Sequence, residues 1–518
     1  MTHESFSPQA PTRSVALAIA VVLACYVAAL LLGWPQAATR QIAAASAEHA
    51  AEPTAADHAA PGAPAHGHPP YWTAIPFVLL LGAIAVFPLI KAIEHWWESN
   101  LHRLYVAVGL GVCTLLYYLF LHALPVEGHW PAHYVVEPGA GLQWSGVRAL
   151  LENALLNEYV PFIVLLFSLY TIAGGIRITG DLPAHPSTNA MFLGVGATLA
   201  SLLGTTGAAM LLVRPLLETN AERKHVKHTV VFFIFMVCNT GGCLLPIGDP
   251  PLFLGYLKGV PFLWTLNLWQ PWLFVNGALL VVYYLADRLI FYPREAMRDI
   301  RRDETQVRRL RVGGLTLNGP LLAAVILAVA LLDPSKSIPG TSWQPWLYLR
   351  EAVLLALVGA SLLFGSPALR EANRFTFGAI LEVAALFLGI FITMQPVLSI
   401  LRVEGPRLGI DTAPKFFWTT GSLSSVLDNA PTYLVFFEAA SSLEGPDRVA
   451  GVPAALLAAV SLGAVFMGAM TYIGNGPNFM VKAIAEQSGI KMPSFFGYIA
   501  YSVGLLLPVL ALCVWLFL

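Results

Sequence analysis

Ile247-Gly248-Asp249-Pro250-Pro251-Leu252-Phe253 lines up with Ile473-Gly474-Asn475-Gly476-Pro477-Asn478-Phe479, and four of the seven positions are identical. Each heptad interrupts a long apolar run, 229–256 in the first case and 452–483 in the second. Glycine and proline break helices and leave backbone amides and carbonyls unpaired, which in hydrocarbon costs roughly several kcal/mol per group. The features upstream follow the same order in both places. Gly207–Val213 aligns with Asn429–Val435 at a similar offset, and Glu158 and Glu382 stand at matching positions. Residues 158–256 therefore repeat as 382–483.

The rest of the chain is membrane-like. Its 518 residues are 57% hydrophobic and 11% charged, against about 45–50% and 25% in soluble domains, and mean hydropathy is +0.68. This excludes a soluble enzyme, a disordered chain and a disulfide-rich scaffold. A net charge of −1, from 29 basic and 30 acidic residues, gives no footprint for a nucleic-acid partner. Cys25, Cys113, Cys238, Cys243 and Cys513 lie in apolar runs without a CxxC or Cys/His metal spacing, so they read as small buried hydrophobes.

Apolar runs at 15–34, 72–91, 104–124, 159–177, 229–256, 270–291, 315–333, 345–366, 376–401, 452–483 and 493–518 predict about eleven transmembrane helices. The first is longer than a signal-peptide core and reads as an anchor. Residues 35–70, rich in Ala and Pro and bearing His49, His58, His66 and His68, read as a flexible linker or a metal-capturing strand. Two further runs, 190–218 and 413–440, are broken near the middle, at Gly204-Thr205-Thr206-Gly207 and at Asp428-Asn429-Ala430-Pro431. Each half is too short to cross a bilayer, so each run reads as a re-entrant helical hairpin.

The basic stretch Arg288–Arg311 sets the cytoplasmic side. The N-terminus then falls in the cytoplasm of a bacterial inner membrane, and the 35–70 linker and the C-terminus fall in the periplasm. Three spans separate the repeats, which inverts one relative to the other. The expected architecture is an all-α polytopic membrane protein with two re-entrant hairpins in an inverted-topology repeat. Its parts are an anchor and linker (1–70), a first repeat (71–291), a basic linker (292–314) and a second repeat (315–518).

Paired broken helices in an inverted repeat mark a transport site, and an acid inside such a region is a candidate for function. Asp428 is the first of these. Asn429, Ser425 and Thr432 supply neutral oxygens beside it, a set suited to a small hard cation, and a carboxylate that also takes a proton lets the two ligands compete. Helix capping is its other reading, and both roles can hold at once. Asp249, in the first break, is the second acid, with Asn475 as its neutral counterpart. Thr205, Thr206, Asn239, Thr240, Thr471, Asn475 and Asn478 are candidate neutral ligands. Glu382 is a candidate proton relay or ion-pair partner, Glu158 an interfacial residue at a helix end, and Glu438 a group near the outer surface. Arg214 and Lys482 either pair with inner acids or reach the membrane face.

Hairpin, broken helix and repeat together resemble the ion transporter superfamily of citrate, dicarboxylate and arsenite carriers and NhaD-type sodium/proton antiporters. Ser424-Ser425-Val426-Leu427-Asp428-Asn429-Ala430-Pro431 is similar to the Asp-Asn hairpin of the antiporters. Cys238-Asn239-Thr240-Gly241-Gly242, followed by Ile247–Pro251, resembles a branch labelled sodium/proton antiporter or citrate transporter. The likeness spans 70–518. It departs at the first hairpin, where Thr205-Thr206-Gly207 brings no acid. The resemblance implies a transporter rather than an enzyme, with no cofactor, a lipid bilayer around it and a homodimer as its assembly. The leading expectation is exchange of Na⁺ (or Li⁺ or K⁺) for H⁺ by alternating access, with Asp428 and Asp249 as the cation ligands. The alternative is Na⁺- or H⁺-coupled transport of citrate or another organic anion, against which two carboxylates at the site would count.

Overall fold

The computed structural model describes residues 9–51, 67–139, 141–305 and 309–518. The described chain is helical, with three two-stranded ladders in its connections. Among the described residues six helices are long and apolar enough to cross a membrane: Arg13–Leu31, Asn100–Phe120, Trp144–Ala173, Trp264–Arg294, Gly378–Leu408 and Phe495–Phe517. A seventh candidate is the bent pair Tyr71–Val86 and Lys91–Trp97, interrupted at Phe87-Pro88-Leu89. Leu315–Leu331 and Leu349–Phe364 are shorter helices. The candidate spans display apolar side chains outward, with Leu31, Phe496 and Trp515 among the most exposed. An outward apolar surface of this extent is what a lipid environment covers, and the protein is a multi-pass membrane protein.

Two compact units interleave along the chain. One comprises Met1–Leu80, Ser99–Gly175 and Gly314–Ser399, and the other Leu81–Glu98, Ile176–Gly313 and Ile400–Leu518. In the first, aromatic packing of Phe162 on Phe387 and Phe391 joins Trp144–Ala173 to Gly378–Leu408. Arg103 pairs with Glu382 at 2.8 Å, and Arg370 donates to the carbonyls of Thr171 and Ser361.

Several expectations are corrected here. The linker does not start as coil, because Trp34–Ala51 is a helix. Its alanines have the highest helix propensity and outweigh the absence of an apolar face. Of the linker histidines, His58 and His66 lie outside the described residues, as does the His49 side chain, while His68 packs on Tyr71 with the two rings tilted. The basic linker 292–314 carries the helix Met297–Thr305 and the strand Arg311–Gly313, which pairs with Arg177–Thr179. Glu158 is buried within Trp144–Ala173, a helix that starts well before the predicted span, rather than at a helix end. Cys25 and Cys113 are exposed, whereas Cys238, Cys243 and Cys513 are buried as expected.

The second unit contains most of the repeat, residues 176–256 and 400–483. Helices α1 (Pro186–Leu203) and α2 (Thr205–Thr219) form one packed pair, and α5 (Ala413–Ser424) and α6 (Asn429–Ser441) the other. Between and after them run two broken helices: α3 (Lys227–Met236) with α4 (Pro250–Leu257), and α7 (Ala454–Met467) with α8 (Gly476–Gln487). The order, helix pair then broken helix, is thus the same twice. A buried ion cluster braces this unit away from the breaks. The Arg223 guanidinium donates to both carboxylate oxygens of Asp287, at 3.0 and 2.5 Å, and His228 Nε2 lies 3.0 Å from Asp287 Oδ1. Glu438 is buried and pairs with the half-exposed Arg402 at 2.6 Å.

Candidate functional site

The first hairpin turns at Gly204, whose φ of +77° and ψ of 150° are strained for any residue with a side chain. The turn leans on the first broken helix, where the Thr205 amide donates to Gly248 O at 2.8 Å. Beyond Met236 the chain runs irregularly to Asp249. Asn239 Nδ2 returns to Ile234 O at 2.8 Å and Thr240 Oγ1 to Phe235 O at 3.1 Å, so side chains take up carbonyls that the ending helix leaves open.

The two breaks are built alike. A Cβ on Gly248 would run into Gly242 O and Ser201, and one on Gly474 would lie 2.6 Å from Gly468 O and 2.8 Å from Ser424 O. In each repeat a serine near the hairpin tip then reaches the broken helix. Ser201 Oγ donates to Gly241 O at 2.6 Å, and Ser424 Oγ to Ala464 O at 2.7 Å.

These contacts bring four half-helix N-termini to one carboxylate. Asp249 is the residue before α4, and it is 1% exposed. Its Oδ1 accepts from Thr205 Oγ1 at 2.9 Å, from the first residue of α2. The same oxygen accepts from Asn475 Nδ2 at 3.2 Å, from the residue before α8. Its Oδ2 accepts from Asn429 Nδ2 at 2.7 Å, from the first residue of α6. Desolvating a carboxylate costs several kcal/mol. Three hydrogen bonds to a charged group, at about 1.5–3 kcal/mol each, offset it, and the positive helix ends add to that.

A second layer of amides fixes the first. Asn475 Nδ2 also reaches Cys238 O at 3.0 Å and Asn239 Oδ1 at 3.3 Å, and Asn239 Nδ2 donates to Asn478 Oδ1 at 2.7 Å. Asn478 Nδ2 in turn donates to Gly468 O and Thr471 O, at 2.8 and 2.9 Å. One oxygen stands apart from this satisfied network. Asn429 Oδ1 is buried and has no hydrogen-bond partner among the described residues. A buried acceptor left open beside a carboxylate is a place that a cation can fill.

The predicted residues divide accordingly. Asp249, Asn429, Asn475, Asn239 and Asn478 come together in one network. Thr205, rather than Thr206, supplies the hydroxyl. Asp428 is half-buried and caps α6, its Oδ1 accepting from the Ala430 amide at 3.2 Å, a role compatible with a cation ligand. Thr432 Oγ1 returns to Asp428 O at 2.9 Å and Ser425 Oγ to Ser422 O at 2.7 Å, both local backbone bonds rather than contacts to the Asp428 carboxylate. Thr240 turns to Asn276 Oδ1 at 2.8 Å. Glu382 belongs to the other compact unit, where Arg103 is its partner. Sequence reasoning passed over Ser201 and Asn276. Their only signal was an uncharged polar residue in an apolar run.

A family model described as "Putative citrate transport" matches residues 66–518. No curated protein matches the chain.

Proposed function

The chain belongs to this citrate-transport family, within the ion transporter superfamily, and on that premise we propose that it is a secondary transporter of citrate or a related organic anion, driven by a co-transported Na⁺ or H⁺. Membership makes it a transporter rather than an enzyme. The observation that carries the reading is the meeting of the N-termini of α2, α4, α6 and α8 at Asp249. Helix N-termini present open amides and a partial positive charge, each end favouring a nearby anion by about 0.3–1 kcal/mol when exposed and up to about 2 kcal/mol when partly buried. Several such ends at one place suit a small polycarboxylate. Asp249 is the cation's share of the site in this reading, with Asn429 Oδ1 as a neutral ligand. A bound cation also removes the objection that a carboxylate would repel an anionic substrate, because the pair enters as a compensated charge.

The finer architecture belongs to the same proposal. The helix pairs α1–α2 and α5–α6 are re-entrant hairpins, the two repeats are inverted, and the eleven apolar runs with the hairpins complete an alternating-access carrier. Exchange of Na⁺, Li⁺ or K⁺ for H⁺ without an organic anion is the second reading. It is favoured by Asp249 set among neutral Thr and Asn side chains, a donor set that also suits a bare monovalent cation.

Proteoliposomes separate the two. Purified protein is reconstituted with a trapped pH dye, and labelled citrate uptake is followed with and without Na⁺ or proton gradients. Citrate uptake that requires one of the gradients supports the anion carrier. A dye response to Na⁺ or Li⁺ with no organic anion present, together with absent citrate uptake, replaces it by antiport.

A further inference from the structure

The connection after Asn100–Phe120 forms a short hairpin of two antiparallel strands, β1 (Val126–Gly128) and β2 (Tyr134–Val136), paired Glu127↔Val135 and Gly128↔Tyr134. It carries three metal-capable side chains, Glu127, His129 and His133, all exposed. One carboxylate oxygen and one ring nitrogen from each histidine lie within 4.8 Å of one another. The His129 Nε2–Glu127 Oε2 distance is 3.9 Å, and the two imidazole centroids are 5.4 Å apart.

The backbone beneath these groups is held in place. Asn153 Nδ2 donates to Glu127 O at 2.7 Å, and its Oδ1 accepts from the His129 amide at 2.7 Å, so one side chain clamps the chain on either side of Gly128. Tyr134 OH donates to Glu152 Oε2 at 2.5 Å and pins the other strand. Residues 125–145 contain no Lys or Arg, so no fixed cation in the connection opposes a metal ion.

We propose that this hairpin binds a divalent transition cation through His129, His133 and Glu127, with water completing the coordination. Imidazole nitrogen with one carboxylate suits Zn²⁺, Cu²⁺ or Ni²⁺, whereas Mg²⁺ and Ca²⁺ prefer all-oxygen shells. Zinc takes such donors at about 2.0–2.2 Å, which places them about 3.4 Å apart around a tetrahedral ion. The donor atoms lie within 4.8 Å of one another on exposed side chains, whose rotation closes the remaining distance. The inference does not depend on what the carrier transports.

The test is calorimetric titration of ZnCl₂ into the full-length protein, purified without a polyhistidine tag and stripped of metal. Wild type is expected to bind one ion per chain tightly. Affinity should drop about a hundredfold in the His129→Ala/His133→Ala double variant and about tenfold in Glu127→Gln. Mg²⁺ should not compete. Glu127→Gln changes one exposed group and leaves the hairpin backbone intact, so its result stands even if the double variant folds poorly. Absent binding in wild type, or wild-type affinity in both variants, overturns the proposal; the second result assigns the ion to other histidines of the chain.

Discussion

Asn429 and Asp249, 180 residues apart in sequence, share a 2.7 Å hydrogen bond between Nδ2 and Oδ2, with Asn429 Oδ1 left open in the protein interior. One side chain therefore holds the buried acid and offers an oxygen beside it. The two residues come from opposite repeats. Their contact makes the two halves of the second unit dependent on each other at the point where the proposed coupling cation enters.

Asp249→Asn preserves size and removes the charge. Gradient-driven citrate uptake should fall about a hundredfold, with the protein still monodisperse in detergent. Asp249→Ala should in addition lower the melting temperature, since Thr205, Asn429 and Asn475 each lose an acceptor at about 1–3 kcal/mol per stranded group. Wild-type uptake by the Asn variant would remove Asp249 from the coupling step.

Asp428 gives a different signature. Asp428→Ala loses the cap of α6, worth about 0.5–2 kcal/mol, while Asp428→Asn keeps a capping oxygen. Melting should thus drop in the Ala variant only. In uptake, Asp428→Asn should retain at least about tenfold more activity than Asp249→Asn. The reverse order would return the ion to Asp428.

Arg223 and Asp287 form a buried pair whose guanidinium and carboxylate are almost wholly enclosed. Removing one partner of such a pair strands the other, so Arg223→Ala should destabilise by about 3–5 kcal/mol. A paired replacement, Arg223→Met with Asp287→Leu, should recover most of that. Denaturation of the two variants side by side gives the answer; equal losses would mean that the His228 and Tyr283 contacts to Asp287 carry the stability instead.

His122 follows the candidate span Asn100–Phe120, stacked on Tyr118 and 3.1 Å from Tyr117 OH. Burial pushes its pKa down from 6.5 to about 4. As pH falls the unfolded chain takes up this proton first. The stabilisation is therefore complete above pH 6.5 and is lost progressively toward pH 4. His122→Gln should flatten the fall in melting temperature between pH 7 and pH 5. An unchanged slope would show that other groups set the acid limit.

Much of this protein is legible before any coordinates. A hydrophobic fraction of 57% and runs of bilayer length make it a membrane protein, because lipid imposes apolarity and helix length directly on sequence. The heptads 247–253 and 473–479 likewise expose the broken helices, since Gly and Pro act on the local backbone. Which of the two candidate acids joins side chains from both repeats was not legible. Asp428 in Leu427-Asp428-Asn429-Ala430-Pro431 has the stronger local motif, yet it caps its own helix, and Asp249 takes the central place. A cap is satisfied by an amide two residues away. The surroundings of Asp249 depend on Thr205, Asn429 and Asn475, and only the packing of α2, α6 and α8 brings those side chains to within hydrogen-bond distance of one carboxylate.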